Sequence, residues 1–204
     1  MADWLQRIVR SYVRFGRHIG RWKFKWNRFV LWPYRISGNL IADPTVRFYV
    51  PLRCDGEGKV TIAAGTKLGA RTAMRMGNGS ILLQARSPES RIHIGEKCFF
   101  SNNISVIAVE SIEVGDHCLI GDLVTIIDSD FHGIASDKRQ SASVLSRPVK
   151  IEKHVWLGSR VIIQKGVTIG AHSIITPNAV VVSSVPPNTI AGGVPARVIR
   201  GLSP

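Results

Sequence analysis

The sequence is poor in cysteine and in acidic residues, and it contains no long apolar run. Its three cysteines (Cys54, Cys98 and Cys118) show no CxxC spacing and cannot all pair, so a reducing compartment is expected. No stretch approaches the roughly 18–20 apolar residues of a membrane span, and the first residues lack the apolar core of a signal peptide. These absences predict a cytoplasmic protein. Its 204 residues suffice for one large domain or for a domain with an appendage.

The shortage of acidic residues leaves a strongly basic chain. Only 14 Asp and Glu stand against 27 Lys and Arg, which gives a net charge of +13. Such an excess indicates a polyanionic partner, namely nucleic acid, an anionic membrane surface or a phosphorylated ligand. Residues 1–35 hold nine of the basic residues and one acidic residue, so about +8 of the net charge belongs to this segment.

The basic segment has the pattern of an amphipathic helix. At 100° per residue, one side of residues 4–28 collects apolar and aromatic side chains and the other side carries an arginine-rich stripe. We therefore predict a helical extension over residues 1–40 that lies on an anionic membrane surface at the inner face of the cytoplasmic membrane. Packing of this helix on the rest of the protein or on a neighbouring subunit remains the alternative. The remaining sequence shows no nucleic-acid-binding motif, so nucleic acid is not expected as a partner.

A six-residue repeat begins at about residue 41. In its clearest stretch an aliphatic residue recurs every sixth position: Ile151, Leu157, Ile163, Ile169, Ile175 and Val181. Small or β-branched residues follow four positions after each. The same spacing recurs earlier in the chain at Ile62, Leu68 and Met74, at Ile94, Phe100 and Val106, and at Val114, Ile120 and Ile126.

This spacing predicts an all-β solenoid. A six-residue period fits neither a helix nor a flat strand, but it suits short strands separated by tight turns, three of which close one triangular coil. The aliphatic residue points inward, glycine is expected to permit the turn, and the small residue, as at Cys118, fills the narrow interior. Stacked coils then bury one continuous apolar column.

The repeat is interrupted once in its second half. Ile126 and Ile151 are 25 residues apart, one more than four repeats, and the irregular stretch opens with Asp-Ser-Asp-Phe-His. Long irregular loops within compact repeats are usually functional, so we predict an excursion loop at about residues 128–148 that contains the active site.

The stretch HVWLGSRVIIQKGVTIGAHSIITPNAVVVSSVPPNTIAGGVPARVIRG resembles the C-terminal signature of hexapeptide-repeat acyltransferases. The resemblance is to maltose/galactoside-type and to capsule and lipopolysaccharide O-acetyltransferases. It implies a left-handed parallel β-helix over residues 41–204 with a C-terminal coenzyme-binding tail. It also implies a homotrimer with active sites at subunit interfaces and acetyl-CoA in the groove between neighbouring subunits.

The resemblance also implies the catalytic residues. Transfer of an acetyl group to a hydroxyl needs a base, and imidazole is suited to this near neutral pH. His132, at the exit from the coil, matches the position of the family's catalytic histidine. Asp130 and Asp128 are expected to orient it or to bind the acceptor, with turn capping as the alternative for either. On the acceptor side, Phe-Phe-Ser-Asn-Asn resembles a family motif and points to Asn102 or Asn103.

Glu110 also matches a family position near the acceptor, and Arg147 is expected to meet an anionic acceptor. Coenzyme-binding residues follow from the same resemblance, and they are Trp156, Gly158, Ser159, Pro177, Ser183, Arg197 and Arg200. The family often carries Ala-Gly where this chain has Pro177-Asn178, and it carries a lysine near Ser183. Arg160 or Lys165 is expected to replace that lysine. No metal site is predicted.

The leading interpretation is acetyl-CoA-dependent O-acetylation of a sugar hydroxyl in a surface polysaccharide or in its lipid-linked precursor. The alternatives are N-acetylation of an amino sugar or acetylation of a small free acceptor. A non-catalytic or zinc-dependent β-helix is less favoured, because the coenzyme-binding signature is intact.

Overall fold

The computed structural model describes residues 38–70, 79–140 and 145–202. These residues form short strands and one 3₁₀ helix, Ser136–Lys138. The predicted all-β, left-handed parallel β-helix is confirmed, with three parallel sheets as the sides of a triangular coil. The predicted helical extension falls almost entirely on residues outside the described ranges. No helix in the described part of the chain has the length and apolar character needed to span a membrane.

Up to β18, each sheet collects every third strand, as a coil with three sides requires. The first sheet contains β1 (Leu40–Ala42), β4 (Lys59–Ile62), β7 (Arg91–Ile94), β10 (Ser111–Val114), β13 (Val149–Ile151) and β16 (Thr168–Ile169). The second contains β2 (Arg47–Phe48), β5 (Lys67–Leu68), β8 (Phe99–Phe100), β11 (Leu119–Ile120), β14 (Trp156–Leu157), β17 (Ile174–Ile175), β19 (Thr189–Gly193) and β20 (Ala196–Gly201). The third contains β3 (Leu52–Arg53), β6 (Ile81–Ala85), β9 (Ser105–Ala108), β12 (Thr125–Ile127), β15 (Ile162–Ile163) and β18 (Val180–Val181). All pairs are parallel except β19 with β20.

The core is a column of apolar side chains along the axis of the coil. Successive coils place Val114, Ile151 and Ile169 directly above one another, and all three are fully buried. The smaller interior positions stack in the same way, and Cys118 is fully buried there as expected. Packing in register removes each apolar side chain from water, which is the main favourable term in folding.

The corners of the coil use both glycine and residues that carry side chains. Of the glycines that follow the aliphatic residues, Gly69 adopts positive φ, at +97°, and the others, such as Gly121 and Gly158, do not. A side chain at either would instead lie 2.7 Å from a backbone nitrogen of the next coil. At the corners the left-handed backbone conformation falls on Gly65 and Gly166 and otherwise on residues that carry side chains, which are Lys97, Asn103, His117, Leu123, His154, Arg160, His172, Asn178 and Asn188. The glycines after the aliphatic residues therefore permit close stacking of the coils, and, apart from Gly69, the expectation that these glycines permit the turn is wrong.

The coil is interrupted at two places. The first lies between β12, which ends at Ile127, and β13, which begins at Val149. The second lies between Leu68 and Ile81, where the sequence had placed Met74 on the repeat. Leu83 of β6 stands opposite Val106 in the third sheet. Met74 lies outside the described residues, so its place on the repeat stays a prediction.

Candidate active site

The excursion loop leaves the β-helix through a short antiparallel stem. Ser129 and Ser146 form an isolated antiparallel bridge. The backbone N–H of Arg147 donates to the carbonyl of Asp128 at 2.8 Å, and that of Asp130 donates to the carbonyl of Leu145 at 3.2 Å. The stem fixes both ends of the loop on the side of the coil where β12 ends.

His132 lies just beyond this stem and is exposed to solvent. Its Nδ1 atom lies 3.0 Å from the carbonyl oxygen of Arg139. Because a carbonyl oxygen can only accept a hydrogen bond, Nδ1 carries the proton and donates. The neutral ring therefore keeps its lone pair on Nε2, which is the arrangement that a general base requires.

A tight turn after His132 brings the following segment of the loop back to its ring. The 3₁₀ helix Ser136–Lys138 brings the carbonyl of Arg139 back to the ring. A Cβ atom at Gly133 would lie 2.2 Å from the carbonyl oxygen of Lys138. Only glycine allows this approach, so Gly133 supports the contact that orients His132.

Asp128 is bound by the backbone of the preceding coil. Its carboxylate oxygens accept the amide hydrogens of Val109 and Glu110, each at 2.8 Å, and its side chain is fully buried. Burial raises the pKa of Asp128, and the backbone hydrogen bonds oppose that rise only in part. The structure therefore assigns Asp128 to the closing turn of the coil, and the contact that orients His132 comes from a backbone carbonyl.

Asp130 forms an ion pair with Lys165 of the following coil. Its second oxygen, Oδ2, is buried without a hydrogen-bond partner. Glu110 and Arg147 stand at the base of the loop. Glu110 accepts a hydrogen bond from the Ser146 hydroxyl at 3.2 Å, and the stem of Arg147 lies over Gly166.

Asn102 and Asn103 hold the ends of the other interruption. The Asn102 amide accepts from the N–H of Ala70 at 2.9 Å and donates to the carbonyl of Ala70 at 3.0 Å. Asn103 accepts from the N–H of Gly79 at 3.1 Å, and its Nδ2 is buried without a partner. Both side chains therefore bind backbone groups. Of these two amides, only that of Asn103 has an Nδ2 group without a hydrogen-bond partner among the described residues.

The residues expected to bind the coenzyme lie on the second sheet and at its edges. Trp156 points outward and is 50% exposed. Register places Trp156, Ile174, Ile190 and Arg200 in one row across four strands. Arg197 lies on the same strand as Arg200, and both are exposed.

The other expected coenzyme residues are at the next corner. Pro177 and Ser183 are exposed and Ser159 is half-buried. A Cβ atom at Gly158 would lie 2.7 Å from the backbone nitrogen of Pro177 in the next coil. Coil stacking is therefore sufficient to require glycine at this position, whether or not the coenzyme binds there.

Sequence reasoning missed two contacts, namely that of the Arg139 carbonyl with His132 and that of Lys165 with Asp130. A backbone carbonyl leaves no sequence signal, because every residue has one. The sequence had suggested Lys165 only as a replacement for the family's coenzyme-binding lysine. In residues 38–70, 79–140 and 145–202, no three His, Cys, Asp or Glu side chains cluster as a metal site requires.

Comparisons with known proteins agree with this architecture. The family "Bacterial transferase hexapeptide (six repeats)" matches residues 148–183. A galactoside O-acetyltransferase of Escherichia coli K12 is 37% identical over 114 residues, which is 56% of this chain and 56% of that protein. A putative lipopolysaccharide biosynthesis O-acetyl transferase of the same strain, WbbJ, is 35% identical and covers 50% of this chain and 59% of its own length.

The fold extends the likeness further along the chain. A hexapeptide-repeat-containing acetyltransferase from Vibrio cholerae O1 biovar eltor, solved with acetyl coenzyme A, has a TM-score of 0.59 and 28% identity. It covers 88% of this chain and 79% of its own. The chain spans little more than half the length of the curated relatives that it matches. In its repeats, in its fold and in its sequence over about half of its length, the chain is similar to hexapeptide-repeat acyltransferases.

Proposed function

We propose that the protein is an acetyl-CoA-dependent O-acetyltransferase that acts on a sugar hydroxyl. The observation that carries this proposal is His132, held at the exit from the β-helix with Nδ1 donating to the Arg139 carbonyl and Nε2 facing outward from that contact. The similarity to galactoside and lipopolysaccharide O-acetyltransferases supports the choice of reaction and of acceptor class.

In the proposed reaction, Nε2 of His132 accepts the proton of the acceptor hydroxyl as its oxygen attacks the thioester carbonyl of acetyl-CoA. A C–O bond forms and a tetrahedral oxyanion results. Its collapse breaks the C–S bond, and the imidazolium returns the proton to the departing thiolate. The products are the O-acetyl sugar and CoA. The Arg139 carbonyl stabilises the imidazolium throughout, because Nδ1–H continues to donate to it.

Acetyl-CoA is proposed to lie along the second sheet. The outward row from Trp156 through Ile174 and Ile190 offers apolar surface to the pantetheine arm, and Arg200 stands at its far end. The guanidinium groups of Arg197 and Arg200 suit phosphate oxygens, which they bind through paired hydrogen bonds.

The acceptor is proposed to be a surface polysaccharide or a lipid-linked glycan precursor. The basic and aromatic pattern of residues 4–28 supports a position on the cytoplasmic face of the membrane, where acetyl-CoA and a lipid-linked acceptor would both be present. Arg147, exposed at the base of the excursion loop, suits an acceptor that carries negative charge.

A homotrimer is proposed from the family resemblance, and the difference in polarity between two outer faces of the coil indicates where its subunits would meet. The second sheet presents a row of Phe99, Leu119, Trp156 and Ile174, in which Leu119 is 49% exposed. The first sheet presents Thr61, His93, Glu113, Lys150 and Thr168 in the equivalent row. Exposed apolar rows of this kind mark interfaces, so subunit contacts are expected at the second sheet.

The test is CoA binding and acetyl transfer with the His132→Ala variant. CoA should raise the melting temperature of both proteins equally, and transfer from acetyl-CoA to an acceptor glycan should be lost only in the variant. General-base contributions of about 10²–10⁴-fold set the expected loss. A His132→Ala protein with full activity overturns the mechanism. A parent protein that neither binds CoA nor transfers acetyl groups overturns the proposed function.

A further inference from the structure

Phe131, the residue before His132, has an unusual backbone conformation. Its φ is +61°, in the left-handed region that bulky side chains rarely adopt. This conformation turns the chain sharply between Asp130 and His132. The Phe131 ring faces the guanidinium group of Arg86, whose Cζ lies 4.2 Å from the ring centroid.

Arg86 is a fixed point on the β-helix. It follows β6 directly, two coils before the strand from which the loop departs. Its backbone N–H donates to the carbonyl of Ala108 at 2.8 Å, and its Nε donates to Gln84 Oε1 at 2.9 Å. The guanidinium plane is therefore held in place while its face remains free for the ring, which is the geometry of a cation–π contact.

Three consecutive residues of the loop are thus held at separate points. Asp130 pairs with Lys165, Phe131 lies against Arg86, and His132 donates to the Arg139 carbonyl. The Arg139 contact fixes the ring, but this partner belongs to the same loop. Asp130 and Phe131 connect the loop to the coils, so the position of His132 relative to the β-helix depends on them.

We propose that Arg86 is a positioning residue for His132, acting through the ring of Phe131. This inference rests on the proposed function, in which His132 is the base. A base displaced by about 1 Å loses much of its effect, because proton transfer requires hydrogen-bond contact with the acceptor hydroxyl. Arg86 makes no contact with substrate in this role.

The experiment compares Arg86→Ala, Arg86→Lys and Phe131→Ala with Arg53→Ala. Arg53 is a matched control, since it is an exposed arginine at the end of β3 in the same sheet and pairs only with Asp55 among the described residues. Arg86→Ala should lower kcat about threefold to tenfold with KM for acetyl-CoA and for the acceptor unchanged. Arg86→Lys should recover part of the loss, and Arg53→Ala should change nothing.

A double variant tests whether the two residues act together. If Arg86 acts through Phe131, the Arg86→Ala/Phe131→Ala protein should be no slower than the slower single variant. Additive losses would overturn the proposal. So would a rise in acceptor KM with unchanged kcat in Arg86→Ala, because Arg86 would then bind the acceptor.

A second measurement is independent of activity. The imidazole C–H signal of His132 in an NMR spectrum is identified by its loss in His132→Ala. It should shift in Arg86→Ala and stay in place in Arg53→Ala. A shifted signal in a protein without transferase activity leaves the positioning role intact and removes only the proposed function. An unmoved signal together with full kcat in Arg86→Ala overturns the positioning role while the proposed function stands.

Discussion

The Nδ1 atom of His132 lies 3.0 Å from the carbonyl oxygen of Arg139, seven residues further along the same loop. The proposed base is therefore oriented by backbone, and its orientation depends on how the loop turns between these two residues. A carboxylate partner would strengthen the basicity of the ring through its charge. A carbonyl fixes the tautomer but adds little negative charge. Mutations that change the path of the loop are therefore expected to change the orientation of His132.

Gly133→Ala should lower kcat more than tenfold and leave the fold intact. The added methyl group would lie 2.2 Å from the Lys138 carbonyl oxygen, so the segment that carries the Arg139 carbonyl must move away from His132. The loop is outside the apolar column, so thermal unfolding should be nearly unchanged. Steady-state kinetics and circular-dichroism melting measure the two effects.

Ile134→Ala serves as the control for this prediction. Ile134 is the next residue and is 74% exposed, so its truncation should affect neither kcat nor melting. Equal activity of Gly133→Ala and the parent protein would show that the Arg139 carbonyl does not orient the base.

Asn102→Ala should destabilise the protein by about 1–3 kcal/mol, the usual cost of leaving buried polar groups unpaired. The substitution removes both hydrogen bonds from the Asn102 amide to the backbone of Ala70, and the side chain is buried. Urea unfolding measures the loss. The control is Asn39→Ala, since Asn39 is half-buried and makes one long contact of 3.4 Å to Gly56.

This variant also separates the two roles considered for Asn102. A direct acceptor ligand would raise the acceptor KM at unchanged stability. Loss of stability with unchanged KM in the folded protein would assign Asn102 to holding the chain at Ala70.

Asp128→Asn should also destabilise the fold, by a similar amount of about 1–3 kcal/mol. Both oxygens of Asp128 accept backbone N–H groups, and an asparagine would turn an NH₂ group toward one of them. Two donors would then face each other in a buried turn. Asp137→Asn, at an exposed position of the loop, is the control, and urea unfolding at neutral pH is the measurement.

Much of the fold follows from the sequence because the six-residue repeat reports inward-facing positions directly. The repeat assigned Val114, Ile151 and Ile169 to inward-facing positions, and the structure buries all three in one stack. The repeat predicts less after an interruption. Leu83 stands opposite Val106 although it does not continue the six-residue spacing from Leu68, because spacing alone cannot show which apolar residue enters a sheet after an excursion.

The candidate site was only partly accessible to sequence reasoning. His132 is marked by its residue type and by its place at the end of the repeat. Its partner is a carbonyl, and the contact of Phe131 with Arg86 joins residues 45 positions apart in the sequence. Such contacts are determined by how the loop folds back on the coil, and neither motif nor periodicity records that path.

Stability should depend on pH through a stack of three histidines at one corner of the coil. The rings of His117, His154 and His172 lie parallel, with centroids 4.8 and 4.9 Å apart. Loss of hydration in the stack lowers the pKa of His154. Positive charge on His117, His172 or Lys153 lowers this pKa further, and the negative charge of Asp116 opposes the change to a smaller extent.

Because the folded state holds the His154 proton less tightly than the unfolded chain, stability is fully present above the unfolded pKa of about 6.5 and falls as the pH drops below it. His154→Asn should flatten this dependence. Asparagine tolerates the left-handed conformation that His154 adopts at φ +59°, and Asn188 already occupies an equivalent corner. Urea unfolding at pH 8 and pH 5.5 measures the slope. His93→Asn is the control, since His93 bonds Thr61 outside the stack, and a slope equally steep in His154→Asn and in the parent protein would exclude the stack as its source.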